Sequence, residues 1–205
     1  MKIGKRKYHF LPLASLMLVV VSGCQKEPPM TKAEHIQHIV DCVNADSLES
    51  YVSWLEGMGT RFVLANNHRE VAVRIRNRFI AFGYLTARLD SFYLSRTYRG
   101  KDYSTWQYNV IAYLPGREDD SICIVGAHYD SIVSEGDPFT LAPGANDNAS
   151  GVAAVMEIAR IIKERRFRPK HTLRFTAFAA EELGLHGSLF QAGQDASAEI
   201  GRAHV

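Results

Sequence analysis

The sequence predicts a layered α/β fold built on a mostly parallel central sheet flanked by helices. Three observations carry that prediction. Ile122 to Ala127 is a continuous apolar run of strand length, and Thr172 to Phe178 is a second strand of buried character. Between them, Ser150 to Arg165 has helical spacing: Val152, Val155, Met156, Ala159 and Ile162 fall at i, i+3, i+4, i+7 and i+10. A strand, a helix and a strand in that order need a crossover connection, which makes the two strands parallel.

The other elements follow along the chain. From Thr31 to Tyr84 the pattern is helical. Ser47 or Asp46 can cap a helix running through Leu55, which Gly57 and Gly59 end. A second helix covers about Asn67 to Phe82, with Val71, Ile75, Phe79 and Phe82 on one side, and Gly83 stops it. Leu85 to Tyr98 alternates as a strand does. Tyr108 to Leu114 is a strand ending at Pro115-Gly116, and the acidic run Glu118-Asp119-Asp120 makes a turn. Pro169 lies just past the long helix. Leu183 to Ala192 starts a further helix, and Gly193 to Ser197 reads as its end, with Asp195 as a solvated cap.

The first residues have the pattern of a targeting segment. Lys2, Lys5, Arg6 and Lys7 precede an apolar stretch from Phe10 to Val21, too short to span a bilayer comfortably. Val21, Ser22 and Gly23 then lead to Cys24, a run that resembles the bacterial lipobox. The expectation is a signal peptide over 1–23, lipid attachment at Cys24 and a tether over 24–30, with an ordinary signal peptide as the alternative. Two acyl chains on one cysteine give stable anchoring, and Gln25 resembles a signal for the outer membrane or cell surface. Removing the four basic residues of this segment from the 24 in the chain leaves 20 against 22 acidic residues, a net charge of −2. No basic stripe supports nucleic-acid binding. Export permits a disulfide between Cys42 and Cys123, although Cys123, inside an apolar strand pattern, reads as a packed thiol.

Three polar clusters interrupt the apolar framework. His128-Tyr129-Asp130 follows the strand Ile122 to Ala127. Pro143 to Gly151 precedes the long helix and contains Asn146-Asp147-Asn148. Glu181-Glu182 follows the strand Thr172 to Phe178. Taken singly, each has an ordinary explanation: a strand-end hydrogen-bond pair, a turn or cap residue, and first-turn carboxylates at a helix start. Taken together they differ, because ligands of open α/β sheets bind beyond the carboxyl ends of the strands. A histidine, an aspartate and a glutamate meeting there are a donor set suited to zinc.

These stretches resemble the co-catalytic zinc peptidases that include bacterial leucyl aminopeptidases, glutamate-carboxypeptidase-like proteins and glutaminyl cyclases. The resemblance rests on Gly126 to Ser131, Pro143 to Gly151 and Phe178 to Ser188, with Gly59-Thr60-Arg61 resembling the family's N-terminal region. It implies a three-layer sandwich over residues 31–205 and an aminopeptidase acting on peptide substrates. It also implies two zinc ions, with His128 on one, Asp147 bridging both and Glu182 on the other. Asp130 would orient the His128 ring and Glu181 would be the general base. A cis peptide is expected at Asp147-Asn148. The cyclase branch departs from the Asn146-Asp147-Asn148 pattern; a cyclase-like enzyme and a non-catalytic surface lipoprotein of the same fold are the alternatives. The family has two more ligands, an Asp in a following strand and a later His. Only 23 residues follow Glu182, so the domain reads as incomplete at its C-terminal end. Neither Asp195, His186 nor His204 is expected to be a ligand. The sequence carries no signal for oligomeric state.

Overall fold

The computed structural model describes residues 30–118 and 121–203, with side chains through 198. The signal segment, Cys24, the tether through residue 29 and His204 lie outside the described residues.

Helix α1 (Lys32–Val40) starts at a capping box: the Thr31 hydroxyl accepts the Glu34 N–H while the Glu34 carboxylate accepts that of Thr31. Helix α2 (Ala45–Glu56) is capped by Asn44, whose side-chain oxygen takes the Ser47 N–H at 2.8 Å. Asp46 and Ser47 thus lie in the first turn and are not the cap, and Asp46 there complements the helix dipole. Helix α3 (His68–Ala81) buries Val71, Ala72, Ile75 and Phe79, as its spacing predicts, and leaves Phe82 half-buried just past its end.

Strands β1 (Arg88–Tyr98) and β2 (Lys101–Leu114) form a hairpin that the sequence reading, which began the second strand at Tyr108, did not foresee. Its two-residue turn, Arg99-Gly100, has positive φ at both positions (48° and 76°), the turn geometry that matches strand twist. Arginine is a poor signal for such a turn, since a side chain there is sterically disfavoured.

Strand β3 (Ile122–His128), helix α4 (Ser150–Glu164) and strand β4 (Thr172–Phe178) form the predicted crossover, and β3 pairs with β4 in parallel. Helix α5 (His186–Ala203) follows. Among the described residues the sheet order is β1-β2-β4-β3, with β2 antiparallel to both β1 and β4. The layered α/β fold stands, but the described sheet is mixed: its parallel pair is β3 with β4.

Alternate residues of β4 show the three layers. Phe175 meets the Tyr84 ring at 5.5 Å, and the Tyr84 hydroxyl donates to the Ala159 carbonyl of α4 at 2.9 Å. Arg174 points the other way, to Asp195 on α5. Helix α4 buries all five predicted core residues. It also buries Glu157, which accepts the Asn44 N–H at 2.9 Å and is paired with Arg160, so the start of α2 is tied to α4.

Strand β3 departs from expectation. Ile122, Cys123 and Ile124 are exposed, because β3 is the edge of the described sheet and α5 packs over β1 and β2 at the other edge. Cys123 is therefore a free, exposed thiol and not a packed one, and Cys42 is also free. No helix among the described residues is long and apolar enough to cross a membrane.

Candidate metal centre

The parallel register of β3 and β4 places His128 directly opposite Phe178, so both strands end at the same rim of the sheet. The Tyr129 N–H continues the pairing by donating to the Phe178 carbonyl at 2.9 Å. The loops carrying His128-Tyr129-Asp130 and Glu181-Glu182 therefore leave the sheet side by side. The wound turn Ala145–Ala149, before α4, brings Asp147 to the same rim. All three clusters meet, as the crossover topology requires.

His128 Nε2 lies 3.1 Å from Asp147 Oδ1 and 3.8 Å from Glu181 Oε2. His128, Glu181 and Glu182 each offer a ligand atom within 4.8 Å of the others. Asp147 stands beside His128 outside that trio, with its side chain largely in solvent. The Asp147-Asn148 peptide is cis. The Asn148 side chain accepts the Gly151 N–H at 2.9 Å and so anchors the first turn of α4.

Asp130 has a different emphasis from the one its position suggests. The His128 Nδ1 is 3.2 Å from the Asp130 backbone carbonyl and 3.6 Å from its carboxylate. The carboxylate instead accepts the backbone N–H groups of Glu181, at 3.1 Å, and Glu182, at 3.2 Å. Asp130, 1% exposed, thus ties the histidine loop to the paired glutamates as well as facing the imidazole.

Electrostatics follow from crowding four carboxylates around one histidine. Burial pulls the His128 imidazole down, but the Asp130 carboxylate 3.6 Å away, then those of Glu181 and Glu182, push it up to about 9. Burial of Glu182, with the charges of Asp130 and Asp147 near it, pushes its carboxyl up to about 7. The cluster holds more negative charge than its own cations balance. Its donors are imidazole nitrogen and carboxylate oxygen, the types zinc takes. A divalent cation fits this site on both counts.

Residues set aside as ligands stay outside it. Asp195 is not a helix-end cap: it lies within α5, where Arg174 takes both its oxygens at 2.7 and 2.5 Å. Gly193 lies inside the helix and does not end it. His186 opens α5, with its backbone N–H on the Ala180 carbonyl at 3.0 Å. One participant was missed. Arg61 has no assigned role in the sequence reading, yet it bonds to two of the three loops of the site. A lone arginine leading into the apolar run Phe62-Val63-Leu64-Ala65 was the available signal.

Comparison with known proteins covers the stretch that carries these residues. Residues 109–202 match the model of Peptidase family M28. A probable zinc metalloprotease of Pyrenophora tritici-repentis is 34% identical over 193 residues, covering 82% of this chain and 42% of that protein. The chain thus spans about two fifths of the length of such curated relatives. Among solved structures, a leucine aminopeptidase precursor from Bacteroides thetaiotaomicron matches with a TM-score of 0.52 at 26% identity, over 68% of this chain and 48% of that one. A glutaminyl cyclase from the same organism matches with the same TM-score and identity, over 68% and 47%. The matched stretch contains β3, β4 and every residue of the metal cluster, and through it the chain belongs to Peptidase family M28, a family of zinc metallopeptidases.

Proposed function

We propose that this protein is a zinc-dependent exopeptidase, an aminopeptidase that hydrolyses N-terminal peptide bonds. The observation that carries this reading is the convergence of His128, Asp147, Glu181 and Glu182 at one rim of the sheet. Zinc held by His128, Asp147 and Glu182, two ions in the full family arrangement, would supply the Lewis acidity that attack of water on a peptide carbonyl requires. The chain's own residues divide the remaining work. Glu181 is about one-third exposed and faces the His128 ring, where it can take a proton from water and return it to the leaving amine. Asp130 orients the His128 ring and fixes the backbone of both glutamates. The open, solvent-facing side at Asp147 leaves room for the end of a peptide chain. The similarity to a leucine aminopeptidase precursor supports the choice of the amino terminus.

We further propose that the protein is exported and held in the bacterial cell envelope by lipid on Cys24, a reading supported by the basic and apolar pattern before that cysteine.

Two measurements test the catalytic reading: zinc content per chain after purification at neutral pH, and hydrolysis of an aminoacyl anilide. E181Q should keep its zinc and lose turnover by roughly 10²–10⁴-fold. Turnover retained in that variant would remove the role given to Glu181, and absence of zinc uptake would favour a non-catalytic lipoprotein. The equal similarity to a glutaminyl cyclase keeps a second reading in view, tested by ammonia release from a peptide with N-terminal glutamine.

A further inference from the structure

Arg61 is 1% exposed, and its guanidinium meets backbone carbonyls and not a carboxylate. Nε donates to Tyr129 at 2.8 Å, Nη1 to Leu55 at 3.1 Å and Pro143 at 2.7 Å, and Nη2 to Gly144 at 2.9 Å. Four of the five N–H donors of the fork are used. Burial lowers the guanidinium to about 10, with Asp130, Glu56 and Glu182 opposing that fall through their charge, so the group stays cationic at neutral pH.

We propose that Arg61 is a positioning residue of the metal centre, holding the loop of His128 and Asp130 and the loop of Asp147 in one rigid frame. The inference rests on the zinc reading of the site. Tyr129 lies between His128 and Asp130, so a bond to its carbonyl fixes the backbone from which both side chains leave. Pro143 and Gly144 lie just before Asp147. The Gly144 carbonyl accepts the Ala149 N–H at 3.0 Å as well as Arg61, so holding that oxygen holds the turn containing Asp147. The surroundings reinforce the clamp. The Ser131 N–H returns to the Arg61 carbonyl at 3.3 Å, and the Ser131 hydroxyl donates to Ala142 at 2.6 Å. Gly144 has φ 48°, and a Cβ there would stand 2.9 Å from Nη2 and 2.6 Å from the Ser131 Cβ. The guanidinium therefore approaches a backbone that only glycine leaves open. Lysine cannot replace it, because three donors on one point do not reproduce a planar fork.

The test compares wild type with R61K and, as a control for loss of a buried arginine, R174K. Arg174 is equally buried but bonds to Asp195 on α5 and not to either loop. Two readouts are taken on folded protein: amide exchange at Tyr129, Ser131 and Ala149, and zinc affinity with the visible spectrum of the cobalt-loaded protein. R61K should speed exchange at those amides by at least ~10-fold and weaken zinc by roughly 10–100-fold with displaced cobalt bands. R174K should lower the melting temperature and leave both readouts alone. Unchanged loop exchange in R61K overturns the proposal, as does equal loosening of the loops in R174K. If wild type takes up no zinc, the zinc reading falls while loop exchange still decides the clamp. If R61K does not fold, the guanidinium nitrogen resonances of wild type decide: resolved, slowly exchanging Nη signals support a held fork, and rotationally averaged ones overturn it.

Discussion

His128 Nε2 stands 3.1 Å from Asp147 Oδ1, inside a cluster of carboxylates whose charge puts a pH condition on metal uptake. Burial opposes the charged imidazole, yet Asp130 and the two glutamates push it up to about 9, while burial first and Asp130 and Asp147 next push Glu182 up to about 7. Zinc takes a neutral imidazole and an ionised carboxylate. Between pH 7 and 9 binding must therefore expel a proton from His128, and below 7 one from Glu182 as well. Apparent zinc affinity should rise by roughly tenfold per pH unit between 7 and 9, more steeply below 7, and level off above about 9. Competition with a chromophoric chelator from pH 6 to 9.5 measures this. A flat profile would take His128 out of the ligand set.

The Asp130 carboxylate accepts the backbone N–H of Glu181 at 3.1 Å and that of Glu182 at 3.2 Å. D130A leaves two partly buried donors without a partner and should lower unfolding free energy by about 1–3 kcal/mol. D130N keeps an acceptor oxygen and should fall between it and wild type. Urea unfolding of the three proteins gives the order. Zinc affinity should drop in the same order, since the glutamate backbone loses its brace and the imidazole its charged neighbour. A D130A protein with the wild-type urea midpoint would contradict the link drawn between these loops.

What the sequence disclosed, and what it hid, divides along the range of the interactions concerned. Helix α4 was legible because five apolar residues at helical spacing are a local pattern, and all five are buried. The three clusters were legible because the strand-helix-strand order forces β3 and β4 to end together, which their register bears out. The hairpin was hidden because Arg99 takes a backbone conformation that arginine disfavours, held by the eleven paired positions beyond it. The exposure of β3 depends on which elements cover it, and its own composition does not record that. Arg61 and Asp195 were hidden for one reason. Each is a charged residue whose partners are distant in sequence: Tyr129, Pro143 and Gly144 for Arg61, and Arg174 for Asp195. A charge read without its partner defaults to the surface.

The Arg174–Asp195 pair makes that last point testable. Arg174 is 1% exposed on β4 and bonds both carboxylate oxygens of Asp195, at 2.7 and 2.5 Å, with Gln191 adding a longer contact at 3.4 Å. The hydrogen bond from Arg174 outweighs burial and holds the Asp195 carboxyl below its ordinary value. A carboxyl lowered on folding contributes stability that is full above the unfolded value, about pH 4, and is lost as pH falls through the folded value. The gap in unfolding free energy between wild type and D195N should therefore stay constant from pH 5 to 8 and narrow as pH falls below about 4. Asp195 is more than a third exposed, so solvent screens its charge and the pair itself contributes only about 1 kcal/mol. D195A should cost more than that, because it strands a buried guanidinium, and replacing both residues with leucine should recover part of the loss. Denaturant unfolding from pH 3 to 8 separates the cases. If the gap between wild type and D195N did not narrow at all between about pH 5 and pH 3, the carboxylate charge would not be its source. Asp195 would then hold α5 to the sheet by shape alone.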